Sequence, residues 1–315
     1  MDANDRELFD RSIVAVVERD SGSALDRKLD DLGWYDALSV EPHVAVSTLF
    51  SALGSSARHS SALSSVLAQA LGTPLGVPVV LSRPSGSSPP GLLNGEFVSV
   101  DGLAASDFGD QRTVVVVADG QSGPRAVAIA TGQLNAEPVG GLDPDQGLLR
   151  LTGRVGIDDN IGSVDWAGAV RLARLAIGHE LVGVSRHMLE LARDHAVGRV
   201  QFDVPISSFQ AVRHRLAETL VAVEVAEAAL DVAWLDKAPH HAAIAKALAG
   251  RGARTAARHC QQVLAGIGFT LEHPFHRYLR RGLVLDELFG SARTLSRDIG
   301  AEVLRSGRLP SEIAL

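Results

Sequence analysis

The sequence predicts an α+β chain that is mostly α, built in three parts, and three changes of texture along it carry that prediction. Residues 5 to about 72 alternate short helical patterns with Gly and Ser breaks. Residues 73 to about 155 are rich in Val, Gly and Pro arranged as short apolar runs. From about Ser163 onward, Ala, Leu, Arg and Val recur at helical spacing. We therefore expect an N-terminal helical domain over 1–72, a small β domain over 73–160 and a helical bundle over 161–315. A chain of 315 residues with 46% hydrophobic content can fill more than one core.

Taken in order, the first part shows helical repeats around Leu25–Leu29 and Ala62–Leu71. The second shows strand-like runs at Val77–Leu81, Glu96–Val100, Thr113–Ala118, Ala126–Thr131 and Leu148–Val155. Between them, Arg83–Gly91 has the Pro, Ser and Gly composition of an exposed or flexible loop. In the third part a long helix is signalled over Val164–Arg199, with Leu172, Leu175, Leu181, Met188 and Leu191 on one broad apolar stripe. Asp203-Val204-Pro205 breaks it, and further helices follow over Ser207–Trp234, His240–Leu264, Phe275–Leu288 and Ser291–Leu304. Long helices with short connections make a bundle.

The formal charge of -7 gives no electrostatic footprint for nucleic acid. Cys260 is the single cysteine, so neither an internal disulfide nor a CxxC site can form. No signal-peptide pattern or bilayer-length apolar span is present, and we expect a soluble, cytoplasmic protein. His179, His187 and His195 are widely spaced on one helix and His240-His241 are adjacent, so no metal site is expected.

Three strings in the third part are specific. They are Arg199-Val200-Gln201-Phe202-Asp203-Val204-Pro205-Ile206-Ser207-Ser208-Phe209-Gln210, Gln262-Val263-Leu264-Ala265-Gly266-Ile267-Gly268-Phe269, and Glu272-His273-Pro274-Phe275-His276 with the basic pair Arg280-Arg281. They resemble the Arg-x-x-Phe-Gly-x-Pro segment, the Gln-x-x-Gly-Gly-x-Gly turn and the segment after it in the acyl-CoA dehydrogenase family, over roughly 160 to 305. The third string is similar to actinobacterial members that act on steroid-derived CoA thioesters, as in cholesterol catabolism. Leu29-Asp30-Asp31-Leu32-Gly33-Trp34 is similar to the family's helix end in the first domain. The resemblance implies an N-terminal helical domain, a middle β domain, reduced here, and a C-terminal four-helix bundle.

It also implies that the bundle contacts the pyrophosphate and adenosine end of an FAD held across a subunit boundary. Carried over by position, Arg199, Gln201, Phe202, Gln262 and Gly266 bind the cofactor. A guanidinium fork suits phosphate oxygens, and glycine lets backbone approach a ligand closely. Plainer readings stand beside these. Arg199 also suits the negative end of a helix dipole, Gly266 and Gly268 suit a helix C-cap, and Phe202 and Phe209 suit a core. Arg277, Arg280 and Arg281 are either a solvated basic face or contacts to a flavin or CoA phosphate.

The family's reaction needs a carboxylate to remove an α-proton while hydride passes from the β-carbon to flavin. The two positions where the family keeps that base align with Phe289 and Ala173, and neither can accept a proton. Glu180 lies about 10 Å farther along the helix from Ala173, and Asp286 and Glu287 precede Phe289; of these, Glu287 and Glu180 are the substitutes to consider. The family's flavin-ring motifs are missing between Gly72 and Gly162, and Asp203 replaces a glycine beside the phosphate position. The resemblance thus implies the smaller, base-lacking subunit of a heterotetrameric flavoprotein oxidoreductase. A larger acyl-CoA dehydrogenase subunit, an acyl-CoA substrate and electron-transferring flavoprotein would be its partners. The alternatives are a homodimeric dehydrogenase with a displaced Glu, and a flavin-free interaction protein descended from a dehydrogenase.

Overall fold

A computed structural model describes residues 3–105, 112–157 and 159–307. It separates into two compact units, one drawn from Met1–Leu49, Arg58–Ala176 and Leu288–Gly290 and the other from Phe50–Ala57, Ile177–Glu287 and Ser291–Leu315. Among the described residues no helix is long and apolar enough to cross a membrane.

The first unit begins with helices α1 (Ala3–Arg19), α2 (Gly22–Asp31), α3 (Trp34–Val40), the start of α4 (Pro42–Ser56) and α5 (Ala62–Leu71). Gly33 takes a φ of 73°, which a side chain resists, and so turns the chain from α2 into α3. Trp34 is then fully buried, its indole N–H donating to the Ala45 carbonyl at 2.9 Å.

Seven strands follow in this unit: β1 (Gly91–Asn94), β2 (Phe97–Ala105), β3 (Thr113–Asp119), β4 (Arg125–Ala130), β5 (Asn135–Pro138), β6 (Leu148–Gly156) and β7 (Asp159–Ser163). They form one sheet in the order β5-β6-β2-β1-β3-β4-β7. Val114, Val116, Val127, Ile129, Val98 and Val100 make its core, and the uninterrupted buried run of β3 fits a strand flanked on both sides. The segment read as a strand at Val77–Leu81 makes only two isolated bridges, Val79 to Val115 and Leu81 to Leu103. Pro78 has no N–H to give a ladder there. The Arg83–Gly91 segment is tied down, in contrast to its flexible composition: Ser87 accepts from the Trp166 indole through its carbonyl at 2.8 Å and from Arg174 through its hydroxyl at 3.3 Å.

The long helix α6 (Trp166–Gly198) starts in the first unit and enters the second at Ile177. A short hairpin, β8 (Val200–Gln201) and β9 (Val204–Pro205), leads to α7 (Gln210–Leu235), α8 (Pro239–Leu264), α9 (Phe275–Glu287) and α10 (Ala292–Ser306). These ends lie within a few residues of those read from periodicity. α7 buries Thr219, Val223, Ala226, Leu230 and Ala233, a three- and four-residue spacing that lines one face. The end of α4 crosses α6 closely: a Cβ on Gly54 would lie 2.1 Å from the Glu180 carbonyl, and one on Gly183 2.3 Å from the Ser51 carbonyl. Only glycine permits that approach.

The α9–α10 corner is held by Asp286, which is fully buried. Its carboxylate accepts from the Ala292 backbone N–H at 2.9 Å and from Arg254 at 2.6 Å, while the Lys246 ammonium donates to its carbonyl at 2.9 Å. A buried carboxylate with this many charged and backbone donors is a fixed strut.

Candidate functional site

In the second unit the residues expected at the cofactor fall into two groups. The first sits where α6 ends. Arg199 is exposed there, and Gln201 is exposed with its side-chain amide donating to the Val200 carbonyl at 2.9 Å. Phe202 and Asp203 form the two-residue turn of the β8–β9 hairpin with φ values of 54° and 65°. Positive φ at both positions matches the twist of a tight hairpin, but the usual residues there are Asn and Gly, so a bulky Phe is strained. Phe202 is 87% exposed, and it meets Phe209, itself 39% exposed, edge-on at 6.2 Å. The core reading of Phe202 is therefore replaced: a strained turn holds an aromatic ring out in solvent.

The second group sits where α8 ends. Gln262 is exposed and lines a cleft of about 430 Å³ with Arg254, Arg258, Gln261, Phe269 and Leu283. Residues 254, 258, 261 and 262 share one helix face, a spacing that would have revealed this donor-rich wall in the sequence. Gly266 is exposed, and a Cβ on it would meet nothing within 4 Å. It does not cap α8. Ala265 does, at φ 53° and ψ −135°, a conformation natural to glycine alone. Gly268 instead packs tightly, with a Cβ there only 2.9 Å from Leu264.

The two groups are linked through the chain after α8. His273 and His195 interact electrostatically, and His195 in turn feels Arg199. Burial first, and neighbouring positive charge second, holds both imidazoles below their ordinary pKa. The Phe275 N–H donates to His273 Nδ1 at 3.2 Å, which fixes that nitrogen as an acceptor. Among the described residues the Arg199 side chain makes no hydrogen bond.

The basic string after this point divides. Arg277 is exposed and Arg280 is half-buried, but Arg281 is only 2% exposed and donates to Glu180 at 2.8 Å. Arg281 is thus neither a solvated face nor an open phosphate contact. The same pairing occupies Glu180, itself 6% exposed. Glu287 lies 3.7 Å from Arg254 at the edge of the cleft. Sequence reading gave no sign of the Glu180–Arg281 pair, because residues 101 apart carry no local signature.

The positions aligned with the family's base lie in the first unit. Ala173 is fully buried. Phe289 is 1% exposed, has φ 54°, packs on Trp166 with ring centroids 6.2 Å apart, and accepts from Arg174 Nε at 3.1 Å through its carbonyl. An apolar ring thus stands at this position on a backbone bent into the left-handed region, with Gly290 following at φ 99°. Arg174, which holds that bend, was another residue the sequence did not single out.

Residues 166–304 match the family description of the acyl-CoA dehydrogenase C-terminal domain. Acyl-CoA dehydrogenase IpdE2 of Mycobacterium tuberculosis is 32% identical over 196 residues, 60% of this chain and 60% of that protein. The chain therefore spans about 60% of the length of that curated relative. Among solved structures, the ChsE4-ChsE5 complex from Mycobacterium tuberculosis superposes with a TM-score of 0.77 at 23% identity, covering 97% of each chain. The Tcur3481-Tcur3483 steroid ACAD variant does so with a TM-score of 0.73 at 18% identity, covering 96% of each. Residues 166–304 thus match the acyl-CoA dehydrogenase C-terminal domain in sequence, and along nearly its whole length the chain shares the fold of these solved structures.

Proposed function

We propose that this chain is the smaller, base-lacking subunit of a heteromeric FAD-dependent acyl-CoA dehydrogenase that introduces an α,β double bond into a bulky, steroid-derived acyl-CoA. The observation that carries the proposal is the pairing of an apolar, buried base position with an open phosphate end. Phe289 and Ala173 offer no proton acceptor, and Glu180 is held by Arg281. Arg199, Gln262 and Gly266 are all open to a ligand.

The residues present fit the adenosine and pyrophosphate end of FAD. The Arg199 guanidinium would donate to phosphate oxygens, strengthened by its charge. The Gln262 amide would supply a further donor and acceptor at the cleft, and Gly266 would admit backbone against the ligand. Gln201 and Phe202 would complete the contact, the exposed ring giving a flat apolar surface beside the hairpin. Asp203 shares the turn, and its carboxylate must face away from phosphate for this contact to form. Bound flavin supplies the hydride acceptor; the larger subunit would supply the carboxylate that removes the α-proton. The steroid class rests on the resemblance of the Glu272–His276 string and is supported by the steroid ACAD among the structural neighbours. The two-chain assembly rests on the neighbouring complex. We assign electron-transferring flavoprotein as the electron acceptor and the cytoplasm as the compartment on the same family grounds.

The test is co-expression with a larger acyl-CoA dehydrogenase encoded nearby, followed by flavin content, subunit stoichiometry and acyl-CoA oxidation. The expected result is a yellow complex of both chains that loses flavin when Arg199 is replaced by Ala. A colourless complex, or full flavin retention in Arg199→Ala, would overturn the assignment.

A further inference from the structure

A half-buried imidazole beside a fixed cation can stay neutral until an anion arrives, and so adds a charge to a binding site only when the charge is used. The end of α6 has this construction. His195 is half-buried in its last turn, and the Arg199 N–H donates to the His195 carbonyl at 2.9 Å. The two residues therefore share one helix face, with Cβ atoms about 5–6 Å apart, a spacing that one diphosphate can bridge. We propose that His195 is a second ligand of the flavin diphosphate, taking up a proton as the anion settles beside Arg199, while His273 stays neutral next to it. The inference rests on the flavin reading above and adds to it a residue outside the three matched strings.

The surroundings decide which imidazole charges. The negative end of the α6 dipole favours a cation at His195. Burial first and the Arg199 guanidinium second oppose it and hold the ring below its ordinary pKa, and no carboxylate contributes to that balance. Asp194 is paired with Arg193 at 2.9 Å, and the other charged groups near in the chain, Asp203, Glu272 and Arg277, are exposed. Diphosphate oxygens at Arg199 would cancel the repulsion of the guanidinium and add an attraction of their own, so His195 gains its proton there. His273 is held the other way. Its Nδ1 accepts the Phe275 N–H at 3.2 Å, so the neutral ring keeps its proton on Nε2, and a further proton would displace the bond at the start of α9. His276, the third imidazole, donates from Nδ1 to the His273 carbonyl at 2.8 Å. His195 and His273 repel each other when charged, so the pair takes one proton and not two. Anion binding and protonation then strengthen each other by the same factor.

The experiment is calorimetric titration of FAD into the two-subunit complex stripped of flavin, at about pH 6.0 and about pH 7.5, each in two buffers of different ionisation enthalpy. The diphosphate of FAD is a diester that keeps its charge across this range, so the protons counted belong to protein. The wild type should take up about half a proton or more per FAD at the lower pH and bind about fivefold tighter there, one fully linked proton being worth about tenfold per pH unit. His195→Gln, or His195→Asn should Gln disturb the circular dichroism, should still bind FAD but lose most of the uptake and of the pH dependence. A wild-type Kd that depends on Arg199 yet does not change with pH, with no net proton uptake, would overturn this proposal and leave the flavin reading intact. So would a His195 variant that takes up as many protons as the wild type, which places the titrating group elsewhere. A complex that binds no FAD at either pH overturns the flavin reading, and this proposal with it.

Discussion

Removing the Glu180 carboxylate separates a structural role from a catalytic one. Glu180 and Arg281 pair at 2.8 Å with side chains 8% and 3% exposed. Glu180→Ala removes a carboxylate that pairs with a buried guanidinium, a change that costs up to about 3–5 kcal/mol. At about 2–4 °C per kcal/mol for a unit of this size, the melting temperature should fall by about 6–20 °C. Glu180→Met combined with Arg281→Met should recover most of that loss, because two apolar side chains of similar volume leave no buried charge. Thermal melts followed by circular dichroism at 222 nm, the standard helix band, report the change in the wild type and in these two variants. If Glu180→Ala melts within 1–2 °C of wild type while turnover of the assembled enzyme vanishes, Glu180 is a catalytic carboxylate and the structural argument fails.

Three further outcomes follow from local geometry. Ala265→Gly should stabilise the chain by about 1 kcal/mol in chemical denaturation, because it relieves a backbone conformation that costs an L-residue about 1–3 kcal/mol. Burial, aided by neighbouring positive charge, holds His195 and His273 below 6.5 in the folded state, so the unfolded chain binds more protons just below that pH. Their contribution is fully present above 6.5 and is lost as pH falls through the folded pKa; denaturation midpoints in that window should decline, and His195→Gln with His273→Gln should flatten the slope. Burial pushes the Cys260 thiol up to about 12 and encloses it completely. A thiol reagent should therefore label the native chain only at its unfolding rate, and rapid stoichiometric labelling would contradict the packing.

The helices were legible because each carries its own evidence: a repeat of 3.6 in the apolar residues and a break such as Asp203-Val204-Pro205 or Gly72 at its end. The sheet was legible only in part. β3, β4 and β6 show apolar runs, whereas β5 is exposed at all four residues and offers no hydrophobic pattern. β1 is just four residues, marked by the Asn94-Gly95 turn into β2 and not by apolar content alone. At the candidate site, Gln262 and Phe202 could be named from their strings, but their exposure could not. The charged struts were invisible: Glu180 with Arg281, and Asp286 with Arg254 and Lys246, join residues far apart in the chain, and such pairing leaves no local period to read.

Three strained backbone sites lie at positions where the sequence departs from the family it resembles. Asp203, Ala265 and Phe289 all have positive φ, at 65°, 53° and 54°. At the first two the resembling family has glycine, for which this backbone carries no steric penalty. At the third, which the resemblance aligns with the family's base, the side chain is an apolar ring, Arg174 holds the carbonyl and Gly290 follows at φ 99°. Each non-glycine residue at such a position costs about 1–3 kcal/mol, so drift alone should relax the loops into ordinary conformations. Strained shapes at residues that disfavour them fit loops shaped by what they meet. For the hairpin and the end of α8, our proposal supplies that contact as FAD and the larger subunit. For Phe289 the bend is kept by packing on Trp166, so Phe289→Glu should bury a carboxylate against an indole and destabilise the unit, and it should not recreate a base. An Phe289→Glu chain that folded normally and oxidised acyl-CoA by itself would show that the site had lost one side chain and nothing else.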